Sequence, residues 1–163
     1  MKPLDEAQLD LIERIGVLHD HMGKRPAAGR ILGLLLVAPQ AELTFEEIRE
    51  ALGLSKSATS TSLQLLQDVG SVVYRTRPGD RKRYFRKNFE DWERQFIQRG
   101  MTYFDIRFLL AEAIDLRGDQ DREGNVALAR MAGLLDIMAE VIEETHERWQ
   151  AERASAEEDR TAT

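Results

Sequence analysis

The chain has 163 residues, 42% of them hydrophobic and 32% charged, with a net charge of -6 and no cysteine. That balance fits a helix-rich globular protein of one domain with extensions, and it excludes a disordered chain. The lack of cysteine excludes disulfides, thiolate metal sites and thiol redox chemistry. The longest apolar run, Ile31 to Ala38, is far too short to cross a bilayer, and the amphipathic, acidic start is no signal peptide, so a cytoplasmic protein without a membrane partner is expected.

Leu4, Leu11, Ile12, Ile15, Leu18 and Met22 recur at helical spacing and predict a first helix. Pro26 opens a second, apolar almost all round, which belongs at the domain centre; Pro39 stops it. Thr44 and Glu47 form a capping box for a third helix, with Leu43 and Ile48 as the flanking staple; Gly53 ends it. Ser55 caps a fourth helix running to about Val69, with Thr59, Leu63, Leu66 and Val69 as its inward stripe and Gly70 behind it. Two short helices joined by a glycine-containing turn predict a helix-turn-helix.

Ser71 to Arg77 is β-branched and reads as a strand, Pro78-Gly79-Asp80 as a turn, and Lys82 to Arg86 as the returning strand. A hairpin with a basic tip directly after the second helix of the pair is a wing. One long helix is predicted from Asn88 or Phe89 to about Leu116, a polar break at Gly118 to Asn125, and a last helix from Val126 to about Glu152. The fold class is therefore mostly α with a small β-hairpin wing: a winged helix-turn-helix flanked by N- and C-terminal helices, whose apolar stripes a compact winged domain cannot cover alone. The expected division is residues 1–25 for an N-terminal helix, 26–88 for the winged helix-turn-helix, 89–153 for a C-terminal helical region and 154–163 for a disordered tail.

Between Ser55 and Lys87 eight basic residues face only Asp68 and Asp80, a local +6 that leaves -12 for the rest of the chain. Salt screens charge beyond roughly 10 Å, so a local basic block is what a phosphate backbone meets. On the fourth helix Ser57, Ser60, Thr61 and Gln64 share the face opposite the apolar stripe and offer short donors and acceptors to base edges. Ser55 and Lys56 stand at the helix N-terminus, where free amides favour a phosphate. Arg81, Lys82 and Arg83 sit at the wing tip, placed for a minor groove. Arg75 and Arg77 line the strands for phosphates, as do Arg86 and Lys87. Asp80 has two readings, bracing a neighbouring arginine or forming the turn.

These residues resemble the MarR superfamily of winged-helix regulators and, more closely, its GbsR-like branch. The match runs from about Gly29 to Phe89, through Leu43-Thr44-Phe45-Glu46-Glu47-Ile48, Ala51-Leu52-Gly53-Leu54-Ser55-Lys56-Ser57 and the wing Pro78-Gly79-Asp80-Arg81-Lys82-Arg83-Tyr84-Phe85. The resemblance implies a homodimer, with the terminal helices of both subunits (residues 1–25 and 89–153) as its dimerisation region and residues 26–88 as the DNA-binding domain, on a pseudo-palindromic double-stranded operator. It also implies repression more often than activation, and DNA reading by Ser57, Ser60, Thr61 and Gln64 with Arg81 and Lys82. Members of the branch are associated with small-molecule sensing, choline included.

A quaternary ammonium is held by aromatic faces. Trp92, Phe96 and Tyr103 share a face of the long helix and are the candidate ligand pocket, set between that helix and the winged domain; core and dimer packing is the plainer reading of the same stripe. No cofactor or metal is expected: His19 and His21, two apart on a helix, point to different faces, and Glu143 with His146 reads as surface charge. No nucleophile elbow, phosphate loop or triad pattern is present, so an enzyme is not expected. The alternative to a DNA-binding regulator is a winged helix that binds protein, which would not need the basic window.

Overall fold

The computed structural model describes residues 3–90 and 92–161, with side chains for all of these but 157–161. Its contacts divide the chain into two units, Met1–Trp92 and Glu93–Thr163.

In the first unit, α1 (Glu6–His21) begins with a capping box in which Asp5 and Gln8 satisfy each other's backbone amides. It packs against α2 (Pro26–Val37), whose Pro26 occupies the first turn, where no amide donor is needed. The contact is glycine-mediated: an added Cβ at Gly29 would lie 2.7 Å from His19 Cγ and 2.8 Å from the Ile15 carbonyl, and one at Gly33 would lie 3.2 Å from Ile12 Cα. The first helix is thus built onto the winged domain. Ile31 and Leu34 of α2 are wholly buried and anchor a core with Ile12, Leu43, Ile48, Leu63, Leu66, Val72 and Phe85.

A two-residue strand β1 (Leu43–Thr44) leads into α3 (Phe45–Ala51). The Thr44–Glu47 capping box is formed as predicted, and Leu43 and Ile48 are both fully buried. Hydrogen bonds from the Thr44 amide and hydroxyl hold the Glu47 carboxyl below the usual glutamate value of 4.5, against the opposing effect of burial. A depressed folded value contributes stability above the unfolded value and loses it as the pH falls through the folded one. Thr44→Ala is expected to cost about 1 kcal/mol at neutral pH. Its deficit should shrink in part in urea titrations near pH 3, as protonation weakens the hydroxyl–carboxylate bond of the wild type but leaves the Glu47 amide capped. An undiminished deficit there would show that Thr44 acts through its cap on the Glu47 amide or through packing, and not through the carboxylate.

Gly53, at φ +60°, turns the chain into α4 (Lys56–Asp68), which Ser55 caps through the Ala58 amide at 3.1 Å. Thr59, Leu63 and Leu66 face inward, joined by Ser62, which the apolar stripe had left out. Strands β2 (Val72–Arg77) and β3 (Asp80–Lys87) then form an antiparallel hairpin, and β1 completes a three-stranded sheet in the order β1-β3-β2.

Asn88 does not start a helix. It is buried, donates to the Gly70 carbonyl at 3.0 Å and accepts the Glu90 amide, tying the end of the hairpin to the end of α4. In the second unit the predicted long helix is two, α5 (Trp92–Phe104) and α6 (Ile106–Arg117). At Asp105 the spacing tightens, with the Phe108 amide donating to the Asp105 carbonyl at 3.1 Å, a three-residue step that interrupts the four-residue ladder. The predicted polar break shrinks to a 3-10 turn at Gly118–Asp121, because the Asp121 carboxylate accepts the Gly124 amide and so starts α7 early.

Helix α7 (Arg122–Thr161) runs well past Glu152. The Ala- and Glu-rich segment after Arg153 contains no glycine or proline to end it, so the expected disordered tail is helical as far as Thr161; its last two residues lie outside those described. Phe104, Leu135 and Ala139 form a small core between α5 and α7, and Glu93 takes Arg153 at 2.8 Å and His146 at 3.3 Å. Many large apolar side chains of this unit stay exposed, among them Phe108, Leu109, Leu116, Leu134 and Ile137.

Candidate nucleic-acid interface

Helix α4 turns its inward stripe to the core, which leaves Ser57, Ser60, Thr61 and Gln64 exposed on the far side, as their spacing predicts. Ser55 and Lys56 are exposed at its first turn. The Ser55 hydroxyl caps the helix and lies 3.1 Å from that of Ser57, so those two hydroxyls are partly committed locally. Gln64 donates its amide to Asp68 at 2.6 Å, which leaves its carbonyl oxygen directed away as an acceptor.

The wing is shaped by its turn and by a bulge. Pro78 and Gly79, the latter at φ +78°, supply the two central residues of the turn, where Pro followed by a left-handed glycine is the favoured pair. Thr76 pairs with Arg83 but Arg77 pairs with Asp80, so Arg81 and Lys82 are extra residues on β3. A bulge of this kind re-aims side chains. Asp80 organises it, accepting the Lys82 amide at 2.9 Å and the Tyr84 hydroxyl at 2.6 Å. These bonds hold the Asp80 carboxyl below its usual range and raise the Tyr84 phenol. Asp80 therefore braces the bulge and a tyrosine, which favours its turn-forming reading over the bracing of an arginine.

The two elements meet at one cleft of about 420 Å3, lined from α4 by Ser60, Gln64 and Gln67 and from the wing by Arg81, Lys82 and Arg83. Thr44, Phe45 and Glu46 at the start of α3 close a further side. Gln67 continues the Ser60–Gln64 spacing and was legible as such; the α3 contribution was not, since it depends on how α3 crosses α4. Arg83 lies 4.6 Å from the Tyr74 ring centre, while Lys56 and Arg81 have no ion-pair partner among the described residues.

Arg75 and Arg77 are placed differently. Both are held by Glu42, at 2.5 and 3.3 Å, on a stretch of sheet outside the cleft. Burial pushes the Glu42 carboxyl up, but the two arginines outweigh it and hold it below the usual value. Glu42 lies 33 and 35 residues before them, which is why spacing within the wing did not reveal it.

Trp92, Phe96 and Tyr103 all lie on α5. Their side chains are 48%, 68% and 73% exposed, and the ring pairs among the described residues are Tyr74 with Phe85 and Tyr103 with Phe104. An open depression on α5 and α6 takes only Tyr103 of the three, with Thr102, Asp105, Ile106, Phe108 and Leu109.

Parts of this chain are similar to known proteins. Residues 25–83, from α2 into the wing, match the model of the MarR family. The HTH-type transcriptional regulator MmpR5 of Mycobacterium tuberculosis is 28% identical over 144 residues, which is 86% of each chain. A crystal structure described as a transcriptional regulator has a TM-score of 0.73 at 25% identity and covers 89% of this chain and 99% of its own. No helix among the described residues is long and apolar enough to cross a membrane. On the helix-turn-helix, the wing and these matches, residues 25–83 form a winged helix similar to that of the MarR family.

Proposed function

We propose that this chain is a transcriptional regulator, not an enzyme, that reads duplex DNA with α4 in the major groove and the wing in the adjacent minor groove. The observation that carries the reading is the shared cleft: uncharged donors and acceptors of α4 on one wall, three consecutive basic side chains of the wing on the other. The first suits base edges, the second a narrow, negative groove or its phosphates. Ser55, Lys56 and Ser57 at the α4 N-terminus suit a phosphate, and Thr61 extends the reading face.

The reading includes a cytoplasmic homodimer on a pseudo-palindromic operator, acting as a repressor, with recognition helices roughly 34–36 Å apart. The exposed apolar side chains of α6 and α7 support dimerisation. A ligand that bound one separation of the recognition helices better than another would shift operator affinity. The wing sequence Pro78-Gly79-Asp80-Arg81-Lys82 supports placement in the GbsR-like branch. Light scattering that found a monomer at micromolar concentration, with full DNA affinity, would refute the dimer.

The direct test is fluorescence anisotropy of the purified protein against a labelled duplex from upstream of its own gene, beside an unrelated duplex of equal length, across a salt series. Tighter binding to the first, weakening as salt rises, is the expected outcome. Arg81→Ala should weaken binding to both duplexes and flatten the salt dependence by about one unit of slope. Unchanged affinity in that variant would remove the wing from the interface. No binding to either duplex at low salt would favour the protein-binding alternative.

A further inference from the structure

Glu42 stands in the loop just ahead of β1, with a side chain 8% exposed. Its carboxylate is shared by Arg75 at 2.5 Å and Arg77 at 3.3 Å. The Arg77 guanidinium in turn lies 3.8 Å from the centre of the Tyr84 ring. The Tyr84 hydroxyl donates to Asp80 at 2.6 Å, and the other oxygen of Asp80 receives the Lys82 amide at 2.9 Å. One continuous set of contacts thus runs from the Glu42 carboxylate to the bulge that presents Arg81 and Lys82.

We propose that Glu42 is a positioning residue for DNA binding, which fixes the wing through Arg77, Tyr84 and Asp80 and so holds Arg81 and Lys82 toward the groove. The proposal rests on the DNA-binding reading. It opposes the simpler role for Arg75 and Arg77 as phosphate ligands. Moving them to phosphates would take from the Glu42 carboxylate the two guanidinium groups that hold it, and each arginine would give up a charge-assisted bond already made. The arginines therefore stay on Glu42, and their charge acts on DNA at a distance while their geometry serves the wing.

The sign of one substitution separates the two roles. Glu42→Gln removes a negative charge near a polyanion and releases two arginines, so charge alone makes it bind DNA more tightly and with a steeper salt slope. A positioning role makes it bind more weakly, by about tenfold, the equivalent of one charge-assisted hydrogen bond. The measurement is anisotropy of the full-length variant on the labelled upstream duplex, with thermal melting followed by circular dichroism to show that it folds. Tyr84→Phe changes no charge and keeps the ring under Arg77, and it cuts only the link to Asp80. It should also weaken binding, and the double variant should lose less than the two single losses combined. If Glu42→Gln fails to fold, Tyr84→Phe decides the question by itself. Wild-type affinity or better in the folded Glu42→Gln variant overturns the inference and leaves the DNA reading intact. Absence of binding by the wild-type protein to any duplex overturns both.

Discussion

Phe85→Ala is expected to lower the stability of the first unit by about 3–5 kcal/mol, the usual cost of truncating a buried phenylalanine. Phe85 is 3% exposed, pairs across the sheet with Leu43 on one side and Tyr74 on the other, and lies 5.9 Å from the Tyr74 ring centre. It is the residue by which the wing hairpin joins the core of α2, α3 and α4. Its loss should therefore act twice, opening a cavity in the core and loosening the wing. A urea titration of the full chain, followed by circular dichroism, should show an earlier first transition, and DNA affinity should fall while the protein is still folded. A change below about 1 kcal/mol would mean that the wing packs independently of the helical core.

Gly29→Ala is the second large expected effect, a loss of about 1–3 kcal/mol of the kind that overpacking causes. Alanine would ordinarily stabilise a helix interior relative to glycine by roughly 0.5–1 kcal/mol. Here the added Cβ meets His19 Cγ at 2.7 Å, the Ile15 carbonyl at 2.8 Å and His19 Cβ at 2.9 Å. None of these is the free end of a flexible side chain. The Ile15 carbonyl also accepts from His19 Nδ1 at 3.0 Å, so α1 must move bodily away from α2. The clash therefore outweighs the gain in helix propensity. Gly133→Ala on α7 is the matched comparison, since nothing lies within 4 Å of its added Cβ and the variant should melt at a higher temperature than the wild type. If both variants were stabilised, the close approach of α1 and α2 would not be a feature of the protein in solution.

The comparison of these two glycines also shows where sequence reasoning stops. Both sit in helical patterns and look alike in one dimension; only the neighbouring helix distinguishes them. The same holds for Asp105, whose place in a continuous amphipathic pattern gave no sign that the helix breaks there. Helix starts, by contrast, were legible, because a cap is a contact between residues three apart. Thr44 with Glu47 and Ser55 with the Ala58 amide follow from local stereochemistry alone. The start of α7 is an exception of emphasis, since Asp121 was present in the sequence as a cap but was read as part of a loop.

What the sequence determined by itself was set by periodicity and near neighbours: four helices, the caps of the third and fourth, a basic hairpin after the fourth, and an outward polar face at Ser57, Ser60, Thr61 and Gln64. Backbone hydrogen bonding and the burial of one helical face act over a few residues, so their signals lie within a few residues of one another. Tertiary structure decided how those pieces share work. It brought the α4 face and the wing tip to one cleft, gave Asp80 to Tyr84 and Lys82, and committed Arg75 and Arg77 to Glu42. Those partnerships are chosen by charge, burial and packing across the sheet, and such contacts join residues that no local pattern relates.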